Sequence, residues 1–313
     1  MLYAIARLLP RVLLCLIVAL VGVPAFAALT PQRVAPDVYA FIGDLGPVSR
    51  KNSGNVGNSG FIIGRDGVIV IDSGISYNHG KQMAAAIAKV TRKPLRLLIV
   101  THGVQEFLFG NAAFKELGVS VLSHRETAGL IRSRCETCLK NLRQILGEEQ
   151  MRGTKVVVPS QLVDASIPLN VAGRKLELLH FGWAATPGDL AVWDRASGTL
   201  FAGGLISIGR IPDLRDGKLE NWIAALDSLL KLPAQYVVPG HGPVRAPYNA
   251  TGTLLYLRAL DKQARDLYGQ GKSLSEAIGA AALTDFQKWS LYPEAHRQNV
   301  QRIYLQLEQA ELK

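Results

Sequence analysis

The sequence predicts an α/β fold, most simply a sandwich of sheets with helices on the outside. Short β-branched and aromatic runs are separated by Gly, Asn and Asp, which is how consecutive strands are punctuated. Helical segments alternate with these runs in both halves of the chain. Hydrophobic residues make up 48% of the chain, which is enough for a sizeable buried core. Interleaved strands and helices of this kind are typical of the α/β class.

The first 27 residues are predicted to be a signal peptide. Arg7 and Arg11 precede the apolar run from Val12 to Val23, and the triplet Ala25–Ala27 supplies small residues for cleavage after Ala27. The apolar run is too short to span a bilayer. We therefore expect an exported protein, periplasmic or secreted, with no stable membrane anchor after cleavage.

The charge of the chain is positive but diffuse. Loss of two arginines and no acidic residue with the signal peptide lowers the formal net charge from +10 to +8. No run of like charges occurs, so the excess indicates a solvated surface. A nucleic acid partner is not expected.

The first half of the predicted domain begins with three antiparallel strands and continues as alternating helices and strands. The run "LRLLIV" is apolar apart from Arg96, as in a strand that is buried on both faces. The predicted strands lie near residues 38–43, 60–64, 67–74, 95–100 and 119–123, and the helices near 78–90, 111–117 and onward to about 150.

The second half repeats this alternation and ends in helices. Strands are predicted at "KVVVPS", "KLELLHF", "DLAVWDR", "TLFAGG" and residues 236–240, with a helix near 219–230. In the tail, Ser273 and Glu276 have the spacing of a capping box, and Pro293 is placed where a helix can begin. One apolar stripe is predicted to pack on the domain: Val300, Ile303, Tyr304 and Leu307.

Four loops, each after a predicted strand, together resemble the metallo-β-lactamase fold superfamily of hydrolases. They end the segments "VIVIDSG" (68–74), "THGVQEFLFGN" (101–111), "GWAATPGD" (182–189) and "VVPGHG" (237–242). The resemblance covers roughly residues 37–245. It implies an αββα sandwich over residues 28–245, a helical C-terminal extension over 246–313, and loops that hold one or two zinc ions.

The resemblance also implies which positions hold zinc in the family, and most of them lack a donor here. The usual second loop reads T-H-x-H-x-D-H-x-x-G-N, because two zinc ions need about three protein ligands each. The retained residues of the pattern are Thr101, His102, Gly110, Asn111 and His241. The replaced ligand positions are Val104, Glu106, Phe107, Ala185 and Gly204. We therefore expect a degenerate dinuclear site and no cofactor.

Two interpretations of the remaining polar residues stay open. His102, Glu106 and His241 could hold one divalent metal, zinc or iron, because two histidines and one carboxylate form a known ligand set. Alternatively, they are buried remnants that are hydrogen-bonded within an altered pocket. Asp72 and Asp189 are expected to accept hydrogen bonds from neighbouring backbone and so to fix the loops.

Cys135 and Cys138 are the only cysteines of the predicted mature chain. In an exported protein, a pair with this spacing predicts a local structural disulfide. The alternative is a redox couple, with Arg132 and Arg134 favouring a thiolate. The pair and the helical tail also resemble an exported branch of the superfamily that is associated with sulfur oxidation and quinoprotein dehydrogenase systems.

These observations predict a non-hydrolytic accessory protein that binds a small molecule or a periplasmic partner. The predicted pocket is formed by the loops around Val104–Phe107, Trp183–Ala185 and Gly204, where apolar replacements line a cleft. Two alternatives remain: a hydrolase with a single metal at His102, Glu106 and His241, and a redox accessory that acts through the two cysteines.

Overall fold

The computed structural model describes residues 29–246 and 251–311. The predicted signal peptide lies outside these residues. Two sheets pack face to face and helices cover both outer faces, which confirms the predicted α/β sandwich. Within the described residues, no helix combines the length and the apolar character needed to cross a membrane.

The first sheet has seven strands in sequence order. These are β1 (Gln32–Ala35), β2 (Val38–Phe41), β3 (Ser59–Ile63), β4 (Val68–Ile71), β5 (Leu95–Ile99), β6 (Ser120–His124) and β7 (Gln161–Val163). Strands β1 to β4 pair antiparallel, whereas β4 to β7 pair parallel. Because β4 to β7 run in one direction, their carboxyl ends meet at one edge of the sheet, and the loops after β4 and β5 lie side by side.

Four helices cover the outer face of this sheet. They are α1 (Tyr77–Val90), α2 (Asn111–Glu116), α3 (Arg125–Leu146) and α4 (Glu148–Met151). Their apolar faces share a buried cluster with alternate strand residues such as Phe61, Val70 and Leu98. The side chain of Ser76 caps α1 by accepting from the backbone N–H of His79 at 3.1 Å.

The second sheet has five strands in the order β12-β11-β10-β9-β8. These are β8 (Ile167–Val171), β9 (Arg174–Leu179), β10 (Ala191–Asp194), β11 (Thr199–Ser207) and β12 (Tyr236–His241). Strands β8 to β11 pair antiparallel, and β11 pairs parallel with β12. The inner faces of both sheets bury one apolar layer that includes Ile62, Ile69, Ile99, Val192 and Phe201.

Four more helices cover the second sheet. They are α5 (Leu219–Leu229), α6 (Thr251–Gly269), α7 (Leu274–Ala280) and α8 (Arg297–Glu311). Val300 and Ile303 of α8 are buried in one cluster with Trp193 and Trp222 of the sandwich. Ser273 and Glu276 form both hydrogen bonds of a capping box at the start of α7, as their spacing predicted.

Three differences from the predicted elements have physical reasons. Residues 155–160 are not a strand, because this apolar segment lies outside the ladders and β7 begins only at Gln161. Strand β8 was not predicted; it is an edge strand with Pro168 inside it, and proline is a signal against a central strand. Strand β1 was also missed, because its four residues are mostly polar and exposed at the other sheet edge.

Candidate functional site

A pocket of about 670 Å³ opens where the loops of the two sheets meet the C-terminal helices. The structure brings six of the sequence-predicted positions to its wall: His102, Val104, Glu106, Ala185, Gly204 and His241. Ser290, Leu291 and Ala295 from the turn before α8 complete the opposite side. The volume lies within the range of small-molecule sites, roughly 300–1,000 Å³.

Asp72 ties the end of β4 to the loop after β5. Its carboxylate accepts from the backbone N–H and from the hydroxyl of Thr101, each at 2.8 Å. Asp72 adopts a left-handed backbone conformation with φ 57°, which aspartate tolerates better than most residues. Burial raises the pKa of Asp72 to about 7, against the lowering effect of the two hydrogen bonds.

Asp189 fixes the loop before β10 in the same manner. It accepts from the backbone N–H of Thr186 at 2.6 Å and from the Thr186 hydroxyl at 2.7 Å. Burial raises the pKa of this carboxyl to about 7 as well. Neither aspartate lines the pocket, and both bond to groups of the loop backbone.

His102 is held by the residue before it. The hydroxyl of Thr101 lies 2.7 Å from Nδ1 of His102 and donates its own proton to Asp72. We therefore assign the imidazole proton to Nδ1, because the hydroxyl has only one proton to donate. Burial lowers the pKa of His102 to about 3, so the ring is neutral at physiological pH.

The ring of His102 lies over Gly204 and depends on its lack of a side chain. A Cβ atom at residue 204 would stand 2.7 Å from Cδ2 and 2.9 Å from Nε2 of the ring. A larger residue at position 204 does not fit unless His102 moves. The placement of His102 therefore depends on glycine at this position.

Phe107 occupies the centre of the site. Its ring is fully buried, with its centroid 4.2 Å from that of His102 and 5.3 Å from that of His241. Its Cε1 atom leaves no room for a side chain at Gly57, where a Cβ would lie 2.9 Å away. A hydrocarbon ring therefore packs against both retained histidines.

Glu106 is buried on the other side of His241 and is compensated by cations. Its Oε1 lies 3.5 Å from Nε2 of His241 and 4.0 Å from Nη2 of Arg210. Burial acts to raise the pKa of Glu106, but His241 and Arg210 together lower it to about 2. Burial lowers the pKa of His241, so the charge that balances Glu106 comes from Arg210. Arg210 also donates to the carbonyl of Gly46 at 2.9 Å.

The donors that remain do not fit a metal ion. Among residues 29–246 and 251–311, no group of three or more His, Cys, Asp or Glu side chains is arranged to hold one. Glu106 faces the guanidinium of Arg210. The structure therefore gives no support to a single ion at His102, Glu106 and His241, although all three side chains line the pocket.

The charges at the pocket mouth are paired with each other. Arg215 lies 3.9 Å from Asp213 and 3.6 Å from Asp216. Asp213 also pairs with Arg302 at 2.8 Å, and Asp216 with Arg134 at 2.5 Å. The arginines of the site therefore have carboxylate partners, while Glu294 lines the pocket outside these pairs.

The predicted disulfide between Cys135 and Cys138 is absent from the structure, where both are free cysteines. They lie one turn apart inside the uninterrupted helix α3, with Cys135 buried and Cys138 half-buried. The spacing of Cys135 and Cys138 predicted a small loop closed by a disulfide. Inside a helix, however, residues three apart keep their Cβ atoms about 5–6 Å apart.

Sequence reasoning missed the residues that the loop after β11 brings to the pocket. Arg210 and Arg215 belong to the segment "GRIPDLRDG", which has no pattern linking it to residues 101–111. A weak signal existed, since this segment directly follows a buried strand. His124 and His180 stack with their ring centroids 4.0 Å apart, away from the pocket wall.

The comparison with protein families decides the relationship. The family model described as the metallo-beta-lactamase superfamily matches residues 53–241. The chain belongs to the metallo-beta-lactamase superfamily. The four strand-end loops that carried the resemblance lie in or directly beside this match.

Curated relatives in this superfamily are distant. The chain is 22% identical over 216 residues to a linear primary-alkylsulfatase of Pseudomonas sp., covering 56% of this chain and 40% of that protein. It is 25% identical over 183 residues to a type 2 metallo-beta-lactamase of Bacillus cereus, covering 57% of this chain and 64% of that protein. The chain thus spans less than two thirds of the length of either relative.

Solved structures share the fold. A metallo-beta-lactamase from Pontibacter korlensis matches 74% of this chain and 99% of its own, with a TM-score of 0.59 and 22% identity. A double mutant of the sec-alkyl sulfatase PisA1 matches 91% of this chain and 52% of its own, with a TM-score of 0.67 and 17% identity. At these identities the likeness concerns the fold alone.

Proposed function

We propose that this protein binds a small organic molecule in the 670 Å³ pocket and does not carry out zinc-dependent hydrolysis. The observation that carries the proposal is the position of Phe107, whose ring packs against both His102 and His241. A phenyl ring cannot coordinate zinc, and it dries the site, which further penalises a poorly coordinated cation. The pocket beside it is lined in part by Val104, Ile211 and Leu291, whose side chains give an aromatic or aliphatic ligand favourable contacts.

The paired charges favour an uncharged ligand. Arg210 is balanced by Glu106, and Arg215 by Asp213 and Asp216. A ligand with a full negative charge would have to break one of these pairs or be buried without a partner, and both are unfavourable. The names of the two alkylsulfatases suggest a sulfate ester instead, so the charge of the ligand is the property to test.

The experiment compares two probes with the same ring system, 2-naphthol and naphthalene-2-sulfonate. We expect 2-naphthol to bind at least about ten-fold more tightly, a difference of about 1.4 kcal/mol. Val104→Trp, which fills the pocket, is expected to abolish binding. Leu117→Ala serves as the control, because Leu117 is 59% exposed and does not line the pocket. Fluorescence titration measures all six combinations of the two probes with the wild type and the two variants.

Metal content and turnover are measured on the same protein. We expect well below one zinc per chain after purification, and no zinc-dependent turnover of a chromogenic β-lactam or of an alkyl sulfate. Tighter binding of the sulfonate, or zinc-dependent turnover of either ester or lactam, contradicts the proposal. Failure of both probes to bind favours a protein partner at the pocket mouth.

Export to the periplasm or medium is part of the proposal and depends on the predicted signal peptide. Placement in the branch associated with sulfur oxidation and quinoprotein systems also remains a prediction. Both are consistent with an accessory role, in which the pocket holds or delivers a molecule that another protein converts.

A further inference from the structure

The two free cysteines of α3 lie next to the wall of the pocket. Arg134, the residue before Cys135, forms an ion pair with Asp216 at 2.5 Å. Asp216 and Arg215 both line the pocket. The indole N–H of Trp183 donates to the carbonyl of Asp216 at 2.5 Å. The segment 213–216 therefore connects α3 to the ligand-binding side of the molecule.

The two thiols have different environments. Cys135 is buried, with 1% of its surface exposed, and lies one helical turn before Cys138. Cys138 is half-buried and therefore reachable from solvent. The hydrogen bond from Cys135, with the nearby guanidinium groups of Arg215 and Arg134, lowers the pKa of Cys138 to about 7. The hydrogen bond, burial and the neighbouring sulfur raise the pKa of Cys135.

Helix geometry makes this pair easy to reduce again once it is oxidised. Residues three apart in a helix have Cβ atoms about 5–6 Å apart, whereas a disulfide requires about 3.5–4.5 Å. A disulfide between Cys135 and Cys138 forms only with a local shift of α3. Strained disulfides of this kind are the labile ones, which are readily reduced to the dithiol again. The pair is thus unsuited to a permanent structural clip.

We propose that Cys138 and Cys135 form a dithiol that exchanges with low-molecular-weight disulfides, with Cys138 as the attacking thiol and Cys135 as the resolving thiol. The Cys138 thiolate attacks one sulfur of R–S–S–R, forms a mixed disulfide and releases R–S⁻. Cys135 then loses its proton to solvent, and its sulfur attacks Cys138 Sγ. The Cys135–Cys138 disulfide forms and the second R–S⁻ leaves, so two electrons pass from the dithiol to R–S–S–R.

This activity does not depend on the proposed ligand of the pocket. It places near Arg215, which lines the pocket, a group whose charge changes with redox state, because the disulfide form lacks the Cys138 thiolate. Arg215 follows Cys138 by 77 positions in the chain, so only the folded protein brings the two together.

Oxidised glutathione is the probe, used on the full mature chain, with mass spectrometry after acid quenching. The wild-type protein is expected to lose two hydrogen atoms and to retain no glutathione. Cys135→Ser is expected to accumulate one glutathione on Cys138. Cys138→Ser is expected to react about five- to ten-fold more slowly at neutral pH, because its remaining thiol is buried and protonated.

Two results overturn the proposal: a wild-type protein that remains a dithiol in excess oxidised glutathione, and equal reaction rates of the two single variants. Cys135→Ala replaces Cys135→Ser if the serine variant fails to fold, which circular dichroism reports. Arg215→Gln tests whether the guanidinium of Arg215 stabilises the Cys138 thiolate. It is expected to move the midpoint of the alkylation rate of Cys138 to higher pH, while Arg132→Gln, exposed on the same helix, leaves that midpoint unchanged.

Discussion

Two sets of residues meet at the pocket, and they differ in how their polar atoms are bonded. The first set, the frame, consists of Asp72, Thr101, Thr186 and Asp189, whose hydrogen bonds of 2.6–2.8 Å fix one loop to another or close a loop on itself. The second set, the centre, consists of His102, Glu106, Phe107 and His241, which interact through ring packing and a compensated charge.

The difference shows which part of a family's site serves the fold and which serves the chemistry. Hydrogen bonds of the frame are satisfied within the chain, so they need no metal to hold the loops. The centre has Glu106 beside Arg210 and Phe107 packed against both imidazoles, so its contacts too are made within the chain. The loops of the scaffold are therefore held by bonds that do not pass through the centre.

Phe107→Ala should have the largest effect, because it empties the middle of the centre. Removal of a fully buried phenyl ring is expected to lower the free energy of unfolding by about 3–5 kcal/mol. Urea unfolding measures this loss. Phe107→Leu keeps most of the side-chain volume and is the matched control. A loss of less than about 1 kcal/mol in the free energy of unfolding of Phe107→Ala would show that the ring does not pack the centre.

Asp72→Ala tests the frame. The change leaves the backbone N–H and the hydroxyl of Thr101 without their acceptor in a buried place, and we expect a loss of about 2–3 kcal/mol. Asp72→Asn keeps one acceptor oxygen and should recover most of the lost stability. Asp66→Ala, an exposed aspartate paired with Arg65, should change thermal unfolding little. Equal effects of Asp72→Ala and Asp66→Ala would contradict the distinction between frame and surface.

His79→Gln should give the smallest effect, seen only as a change in pH dependence. The imidazole of His79 packs at Gly74 in the loop after Asp72, and burial lowers its pKa to about 4 from 6.5. The unfolded chain therefore takes up a proton first as the pH falls below 6.5, and stability is lost toward pH 4. At pH 5 this loss is about 2 kcal/mol relative to pH 7.5.

The measurement is the difference between the wild type and His79→Gln in chemical unfolding at several pH values. This difference is needed because Asp72 and Asp189 act in the opposite direction. Their pKa values are raised to about 7 in the fold, so they favour the folded state as the pH falls below 7. Identical pH profiles for the two proteins would show that the pKa of His79 is the same in the folded and the unfolded chain.

Much of the fold was predictable from local pattern. The runs at β3, β4 and β5 are apolar apart from Ser59 and Arg96, because the sandwich buries most of these strands on both faces, and the residue types show this burial. The edge strand β8 was not predictable, because an edge has only one neighbour and tolerates Pro168. Residues 155–160 were misread, since an apolar segment can be buried without joining a ladder.

The candidate site was predictable only in part. The replaced positions Val104, Phe107, Ala185 and Gly204 could be named from the motif, because side-chain chemistry alone excludes zinc coordination by carbon. The residues that surround these positions could not be predicted from the sequence, since Arg210 is placed beside Glu106 by the packing of β11 and β12. The disulfide failed as a prediction because cysteine spacing does not report the helix that contains it.

By itself, the sequence determined the superfamily scaffold, the alternation of strands and helices, and the chemical identity of each former ligand position. Tertiary structure alone decided that Phe107 packs against both histidines, that Arg210 balances Glu106, and that Arg215 approaches Cys138. The physical reason is that these interactions act over different separations along the chain. Backbone preferences and hydrophobic periodicity act over a few neighbouring residues, whereas charge compensation and ring packing act between atoms that only the folded chain brings within a few ångströms.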